Sequence, residues 1–190
     1  MIKSICVYSS SSDAIDETYF AAAKEVGKQI GENGHTLIFG GGRIGLMGEV
    51  ARTVHLYGGR VVGVIPEYLN RPNITYEASD NLIVTATMRE RKAKMDEQSD
   101  AFLGLPGGFG TLEEILEIIT LKQIQQHNKP IVLIDIRNFY KHLIAMFEEI
   151  YKERFAKEIH RQLYYVAKDV QDAFSYLNSY VPTPFPVKWF

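Results

Sequence analysis

Short apolar runs alternate with amphipathic stretches along the chain, and this pattern sets an architecture before any motif is considered. The apolar runs fall at 2–8, 36–39, 61–65, 82–86, 101–105 and 131–134. They are rich in β-branched residues and mostly lack polar alternation, as expected of strands buried on both faces. Between them, spacings of three and four predict helices over 18–32, 46–57, 88–99, 112–126 and 139–153, with a last helix from Val170. Asn33-Gly34 and Gly58-Gly59 supply stop signals. The segment 67–80 has no periodicity and contains Pro72 and Asn73, so it reads as a loop at the carboxyl edge of the sheet, where substrates are met. Residues 182–190, with Pro182, Pro184 and Pro186, read as an extended arm.

Strands alternating with helices place the chain in the α/β class: a Rossmann-like, doubly wound parallel sheet of about six strands with helices on both faces. One nucleotide-binding domain over 1–181 is expected, since 190 residues with 46% hydrophobic content can bury one substantial core. A formal net charge of -2 offers no basic face for nucleic acid. The apolar runs are too short to span a membrane, and the chain enters its first strand without a secretory core, so no membrane partner and a cytoplasmic location are expected. The lone Cys6 has no internal disulfide partner and reads as a buried small hydrophobe. The five histidines, His35, His55, His127, His142 and His160, are scattered, and no metal is expected.

Two glycine-rich turns each join an apolar run to a helix. One is Leu105-Pro106-Gly107-Gly108-Phe109-Gly110-Thr111-Leu112-Glu113-Glu114; the other is Phe39-Gly40-Gly41-Gly42-Arg43-Ile44-Gly45-Leu46-Met47-Gly48. In the first, the amides of the turn and of the helix start would aim at one spot, which is the geometry that binds a phosphate. Glycine permits the close approach and the positive φ that such a turn requires. A structural reading stands beside it, because Thr111 and Glu114 have the spacing of a capping box. The second turn favours the functional reading, since two such turns suggest one shared site.

That second turn satisfies GxGxxG from Gly40 to Gly45, but it follows the second apolar run. A dinucleotide fingerprint follows the first, and here the first is followed by Ser9-Ser10-Ser11-Ser12. A hydride-transfer cofactor is therefore disfavoured. The chain also lacks a GK[ST] sequence, which removes the phosphate lysine and magnesium hydroxyl of a P-loop. The serine run reads either as a polar loop or as a source of donors to a phosphate.

Met88, Arg91, Lys92, Met95 and Ser99 recur at helical spacing, so Arg91 shares a face with the methionines. A guanidinium there needs a partner. It either snorkels or pairs with a structural carboxylate, or it sits beside Glu114 at one crevice, if the fourth and fifth strands are neighbours.

Taken together, Gly40 to Gly48, Met88-Arg89-Glu90-Arg91-Lys92 and the PGGxGTxxE stretch from Pro106 to Glu114 resemble the LOG ("lonely guy") family of cytokinin-activating phosphoribohydrolases, over about residues 2–180. The family has long carried a mistaken label as lysine decarboxylases, and no pyridoxal-phosphate site is recognisable in the chain. The opening Val7-Tyr8-Ser9-Ser10-Ser11-Ser12 departs from the family's more usual Cys-Gly-Ser-Ser turn.

The resemblance implies hydrolysis of the N-glycosidic bond of a nucleoside 5′-monophosphate to free base and ribose 5-phosphate, with N6-substituted adenine as the favoured base and no cofactor. It implies Glu114 and Arg91 as catalytic residues. Substrate contacts are expected from Ser10, Gly41, Gly42, Lys92, Gly107, Gly108, Phe109, Gly110, Thr111, Leu112, Glu113 and Thr120. A homodimer is expected on two grounds. The resemblance points to one, and Ile118, Leu121 and Ile124 fall off the sheet-facing stripe made by Leu112, Ile115, Leu116 and Ile119, so that a second surface must cover them. Two rivals are a nucleotide- or molybdenum-cofactor-binding carrier without hydrolase activity, and a dinucleotide-dependent oxidoreductase.

Overall fold

The computed structural model describes residues 2–183. Seven strands form one sheet: β1 (Ser4–Tyr8), β2 (Thr36–Phe39), β3 (Arg60–Pro66), β4 (Asn81–Thr85), β5 (Ala101–Gly104), β6 (Ile131–Ile134) and β7 (Tyr165–Ala167). Their order is β4-β3-β2-β1-β5-β6-β7, and every pairing is parallel. The Rossmann-like α/β architecture is as expected, with one strand more than the six read from the sequence. β7 escaped notice because it is only three residues long and follows a short 3-10 segment (Glu158–Leu163) instead of a clear turn signal.

Strand alternation divides the core in two. Ile5 and Val7 of β1 face one cluster, completed by α1 (Glu17–Glu32), α2 (Gly45–Leu56) and α6 (Val170–Ser179) through residues such as Val26, Val54 and Phe174. Cys6 and Tyr8 face the other, completed by α3 (Met88–Glu97), α4 (Phe109–Gln123) and α5 (Lys141–Lys152) through Met95, Ile115 and Phe147. Side chains of successive strand residues point to opposite faces, so an unbroken apolar run is what a sheet covered on both sides requires. Cys6 is fully buried, and burial pushes its thiol far above its usual pKa.

The order reverses direction at β1, from which the chain proceeds to β2 on one side and β5 on the other. Open parallel sheets form their ligand crevice at such a point, outside the carboxyl ends of the strands. Tyr8 pairs with Gly104, and Leu105 N–H donates to Tyr8 O at 2.9 Å, which sets the serine loop after β1 beside the glycine turn after β5.

The fourth and fifth strands are not neighbours: β3, β2 and β1 lie between them. Arg91 still reaches the crevice, because α3 crosses back under β3, where Arg91 Nε donates to Val64 O at 3.0 Å.

The capping box expected at Thr111 and Glu114 is not formed. Helix α4 starts earlier than expected, with Gly108 at its N-cap and no side-chain cap bond. A capping threonine serves α3 instead, where Thr87 Oγ1 accepts from Glu90 N–H at 3.2 Å.

The segment 67–80 begins as a short 3-10 turn (Glu67–Leu69) and then straps the second glycine turn. Gly42 and Thr75 form an antiparallel bridge, Tyr76 N–H donates to Gly41 O at 2.8 Å and Arg43 N–H to Ile74 O at 2.8 Å. Among the described residues no helix is long and apolar enough to cross a membrane, and no cluster of three or more His, Cys, Asp or Glu could hold a metal. Of the arm expected over 182–190, residues 184–190 lie outside the described part.

Candidate active site

The crevice at β1 and β5 is a pocket of about 620 Å³, within the usual range for small-molecule sites. One end is the start of α4. The first amide of that helix to donate within the ladder is that of Leu112, to Gly108 O at 3.0 Å, so the N–H groups of Phe109, Gly110 and Thr111 precede it and face outward at the positive end of the helix dipole. A Cβ added at Gly108 or Gly110 would meet nothing within 4 Å, and both residues line the pocket. Packing within the chain gives no reason for glycine at either position, and at 110 glycine even weakens the helix. Both positions open directly onto the pocket. Gly107 differs: a Cβ there would fall 2.1 Å from Thr111 Oγ1, so this glycine makes room for the buried threonine beneath the turn.

About one and a half turns further along α4, an ion pair lines the same pocket. Arg91 Nη1 donates to Glu114 Oε1 at 2.7 Å, with the two side chains only 10% and 11% exposed. Arg91 is held by three further contacts: its Nε bond to Val64 O, a contact of Nη1 with Met88 Sδ at 3.3 Å, and close packing over Gly40, where a Cβ would lie 2.0 Å from Nη2. Gly40 is therefore the seat of the guanidinium. Burial raises the Glu114 carboxyl above its usual pKa, and Arg91 opposes that rise without cancelling it. A carboxylate held out of water beside one cation retains strong local charge, which an exposed glutamate does not.

The second glycine turn contributes walls, and two of the amides at its helix start are engaged within the chain. Gly45 N–H donates to Asp13 Oδ1 at 2.8 Å, and Met47 N–H donates to Ser10 O at 3.2 Å. The two turns border one pocket, as their joint presence suggested, but the start of α2 is spent on clasping the serine loop. Gly45, at φ +66, packs its α-carbon against the backbone of Ser10 to Ser12, where any Cβ would collide. The remaining wall on this side is apolar, formed by Ile44, Met47, Leu69, Ile74 and Met88.

Of the residues expected to contact substrate, Ser10, Gly42, Gly108, Phe109, Gly110 and Thr111 line the pocket together with Arg91 and Glu114. Others are placed elsewhere. Gly41 is turned into the strap through its carbonyl. Lys92 is tied to Glu113 and, at 2.8 Å, to Glu117, so the lysine and Glu113 belong to an α3–α4 clasp. Leu112 packs with the second core cluster. Thr120 lies about 16 Å along the helix axis from Phe109 at 1.5 Å per residue, and its hydroxyl donates to Leu116 O at 2.8 Å.

The sheet-facing stripe of α4 also differs from the expected one. Ile115 and Ile118 are buried, whereas Leu116 is 40% exposed. The helix starts three residues early and turns its inner face toward Thr111, Ile115, Ile118 and Lys122.

Sequence reasoning singled out no role for Ser9. It lines the pocket, is 5% exposed, and its Oγ meets no hydrogen-bonding group among the described residues. A polar residue directly after a fully apolar parallel strand was the available signal.

An amide turn sharing a pocket with a buried acid and guanidinium, at the switch point of a parallel sheet, defines the class: an α/β protein shaped for a phosphorylated small molecule. A family model described as "Possible lysine decarboxylase" matches residues 47–177. The chain is 39% identical over 178 residues to cytokinin riboside 5′-monophosphate phosphoribohydrolase LOG2 of Arabidopsis thaliana, covering 94% of this chain and 84% of that protein. It is 40% identical over 178 residues to cytokinin riboside 5′-monophosphate phosphoribohydrolase LOG of Oryza sativa subsp. japonica, covering 94% and 74%.

Among solved structures, the molybdenum cofactor carrier protein from Chlamydomonas reinhardtii matches with a TM-score of 0.70 at 25% identity, over 94% of this chain and 97% of that one. The molybdenum cofactor binding protein from Rippkaea orientalis matches at 0.71 and 20% identity over the same shares, which shows the fold alone. The chain belongs to the LOG family. The decarboxylase description finds no support in the pocket: pyridoxal phosphate is carried on a lysine, and among the described residues none lines the wall.

Proposed function

We propose that the protein hydrolyses the N-glycosidic bond of adenosine 5′-monophosphate and its N6-substituted forms, releasing free base and ribose 5-phosphate. The observation that carries this reading is the buried Arg91–Glu114 pair lining one pocket with the amide turn of α4. The phosphate sits on the amides of Phe109, Gly110 and Thr111 and fixes the nucleotide by binding energy remote from the reacting bond. The base lies toward the apolar wall of Ile44, Met47 and Ile74, which suits an apolar substituent on the exocyclic nitrogen.

Cleavage of the C1′–N9 bond sends its electron pair to the purine and leaves positive charge on the ribose ring. Glu114 stabilises that charge or orients the water that adds at C1′. Arg91 holds the leaving base and the carboxylate in place. The water's oxygen ends on C1′, and one of its protons compensates the departing purine. No step needs a metal.

The same pocket would serve a carrier that binds without reacting, the function printed for the molybdenum cofactor carrier from Chlamydomonas. A buried carboxylate beside an expected anion favours catalysis, because it costs binding energy that a carrier has no reason to forgo. Incubation with AMP and with its isopentenylated analogue, followed by chromatography, tests the choice: free base and ribose 5-phosphate support the hydrolase, whereas tight binding with no release overturns it.

The working assembly in this reading is a homodimer in the cytoplasm, each subunit a single nucleotide-binding unit over 1–181. Phe109, Leu116 and Ile124, at 93%, 40% and 39% exposure, run along the outer side of α4 next to the pocket mouth. A second copy of this chain set against that stripe would give a self-complementary two-fold contact.

A further inference from the structure

Ser9 is the one pocket residue with a buried hydroxyl and no protein partner for it among the described residues. Its neighbours in the serine run are already committed: Ser10 Oγ accepts from Ser12 N–H at 3.1 Å, and Ser12 Oγ from Ala14 N–H at 3.2 Å. A buried unpaired hydroxyl costs stability, and alanine would fill an apolar seat without that cost. Its persistence at the pocket floor points to a polar group that arrives with the ligand.

The topology says which part of the ligand that is. Ser9 extends β1, the strand between β5, whose following turn carries the α4 amides, and β2, whose following turn carries Gly40 and leads to the apolar wall of Ile44 and Met47. A nucleotide with phosphate on the first side and base on the second must lay its sugar across the end of β1. A neutral hydroxyl that both donates and accepts is the natural partner for a sugar hydroxyl.

We propose that Ser9 Oγ binds a hydroxyl of the ribose and so selects ribonucleotides over deoxyribonucleotides. This rests on the reading of the pocket as a nucleoside monophosphate site.

The test compares the parental protein and Ser9→Ala on AMP, 2′-deoxy-AMP and 3′-deoxy-AMP, reading kcat/KM and the melting temperature. Deoxygenation alters the intrinsic lability of the glycosidic bond, but this cancels when each protein's preference for AMP over the deoxy form is compared between the two proteins. One of the two preferences is expected to fall about tenfold in Ser9→Ala, as for the loss of one hydrogen bond, with the melting temperature unchanged or raised. Survival of both preferences overturns the proposal. So does a uniform loss on all three nucleotides, which marks a packing role.

If the parental protein releases base from none of them, the hydrolase reading fails, and Ser9 is judged on the same ratios of Kd measured by calorimetry. Absence of both turnover and binding overturns the two together.

Discussion

Glu114→Gln separates charge from shape at the buried carboxylate. The glutamine oxygen can still accept from Arg91 Nη1 across the 2.7 Å contact, so the shape of the pair survives while its charge does not. Burial disfavours the charged form of this carboxyl and Arg91 does not cancel that, so a neutral amide that keeps the bond to the guanidinium costs the fold little. Complete loss of one member of a buried pair would cost about 3–5 kcal/mol. In Glu114→Gln, Tm should therefore stay close to the parental value, and the variant should still fold. Turnover of AMP should fall on the order of a hundredfold, about 2.7 kcal/mol of transition-state stabilisation.

The pH dependence follows from the same residue. Its carboxyl is raised above the usual 4.5 by burial, so kcat should decline on the acid side starting above that value, and Glu114→Gln should lack this limb. The second ionisation of the substrate phosphate, near pH ~6, falls in the same region. Inhibition by ribose 5-phosphate, followed across pH in Glu114→Gln, reports the phosphate ionisation without the carboxyl and separates the two.

Stability carries the opposite sign. A carboxyl whose folded pKa is raised contributes stability that is fully present below its unfolded value and is lost as pH climbs through the raised one, so Glu114→Gln should flatten that slope. A variant that keeps parental turnover to within about threefold, with the glutamine in place and the fold intact, would refute the catalytic role and reduce Glu114 to a structural partner of Arg91.

Three further outcomes are expected. Gly110→Ala should raise stability by about 0.5–1 kcal/mol in thermal melts, because a Cβ there meets nothing. It should also weaken AMP binding at least tenfold by calorimetry, and unchanged affinity would show that no ligand approaches the turn. Adenosine should be cleaved at least about a hundredfold less efficiently than AMP if α4 amides hold the phosphate; equal kcat/KM for the two would discard the anion cradle. Light scattering at micromolar protein should give about twice the 21.6 kDa chain mass, and Leu116→Glu should shift it toward the monomer. A parental monomer would dispose of the dimer.

Leu116, which the sequence places on the sheet-facing stripe, is the informative position for that last test in preference to Leu121, and the reason bears on what the sequence could reveal. Periodicity identified α4 as a helix with apolar residues on several sides, and such a pattern leaves open which side faces the sheet. The N-cap is Gly108, Leu121 packs partly into the second cluster and Leu116 turns outward. A residue with no side chain gives no capping signal, so the start was read three residues late, and the capping box inferred from Thr111 and Glu114 came from the same error. The apolar strands were legible because burial on both faces leaves an unbroken run; β7, at three residues, is below the length at which such a run stands out.

The site was legible in its residue types more than in its geometry. Arg91 and Glu114 were paired on the assumption that their strands are neighbours, yet three strands intervene. They meet because a long guanidinium passes under β3 and finds its space at Gly40. That glycine reads in sequence as part of a phosphate motif, although its atoms serve the arginine. Glycine is ambiguous in this way because one residue type answers three needs: a positive φ at Gly45, room for a neighbour's side chain at Gly40 and Gly107, and room for a ligand at Gly108 and Gly110.

Only coordinates separate these, by asking what a Cβ would strike. Where it strikes protein, alanine should unfold or distort the chain. Where it strikes nothing, φ is negative and the residue lies inside a helix at the pocket, as at Gly110, alanine should stabilise the fold and harm the function. Gly110 and Ser9 share this character: each lowers the stability of the empty protein with no return inside the chain, and each borders the same pocket, whereas Gly108 also serves as the N-cap of α4. If alanine at these two positions left ligand binding untouched while raising Tm, that grouping would fail, and the pocket would have to be understood as packing alone.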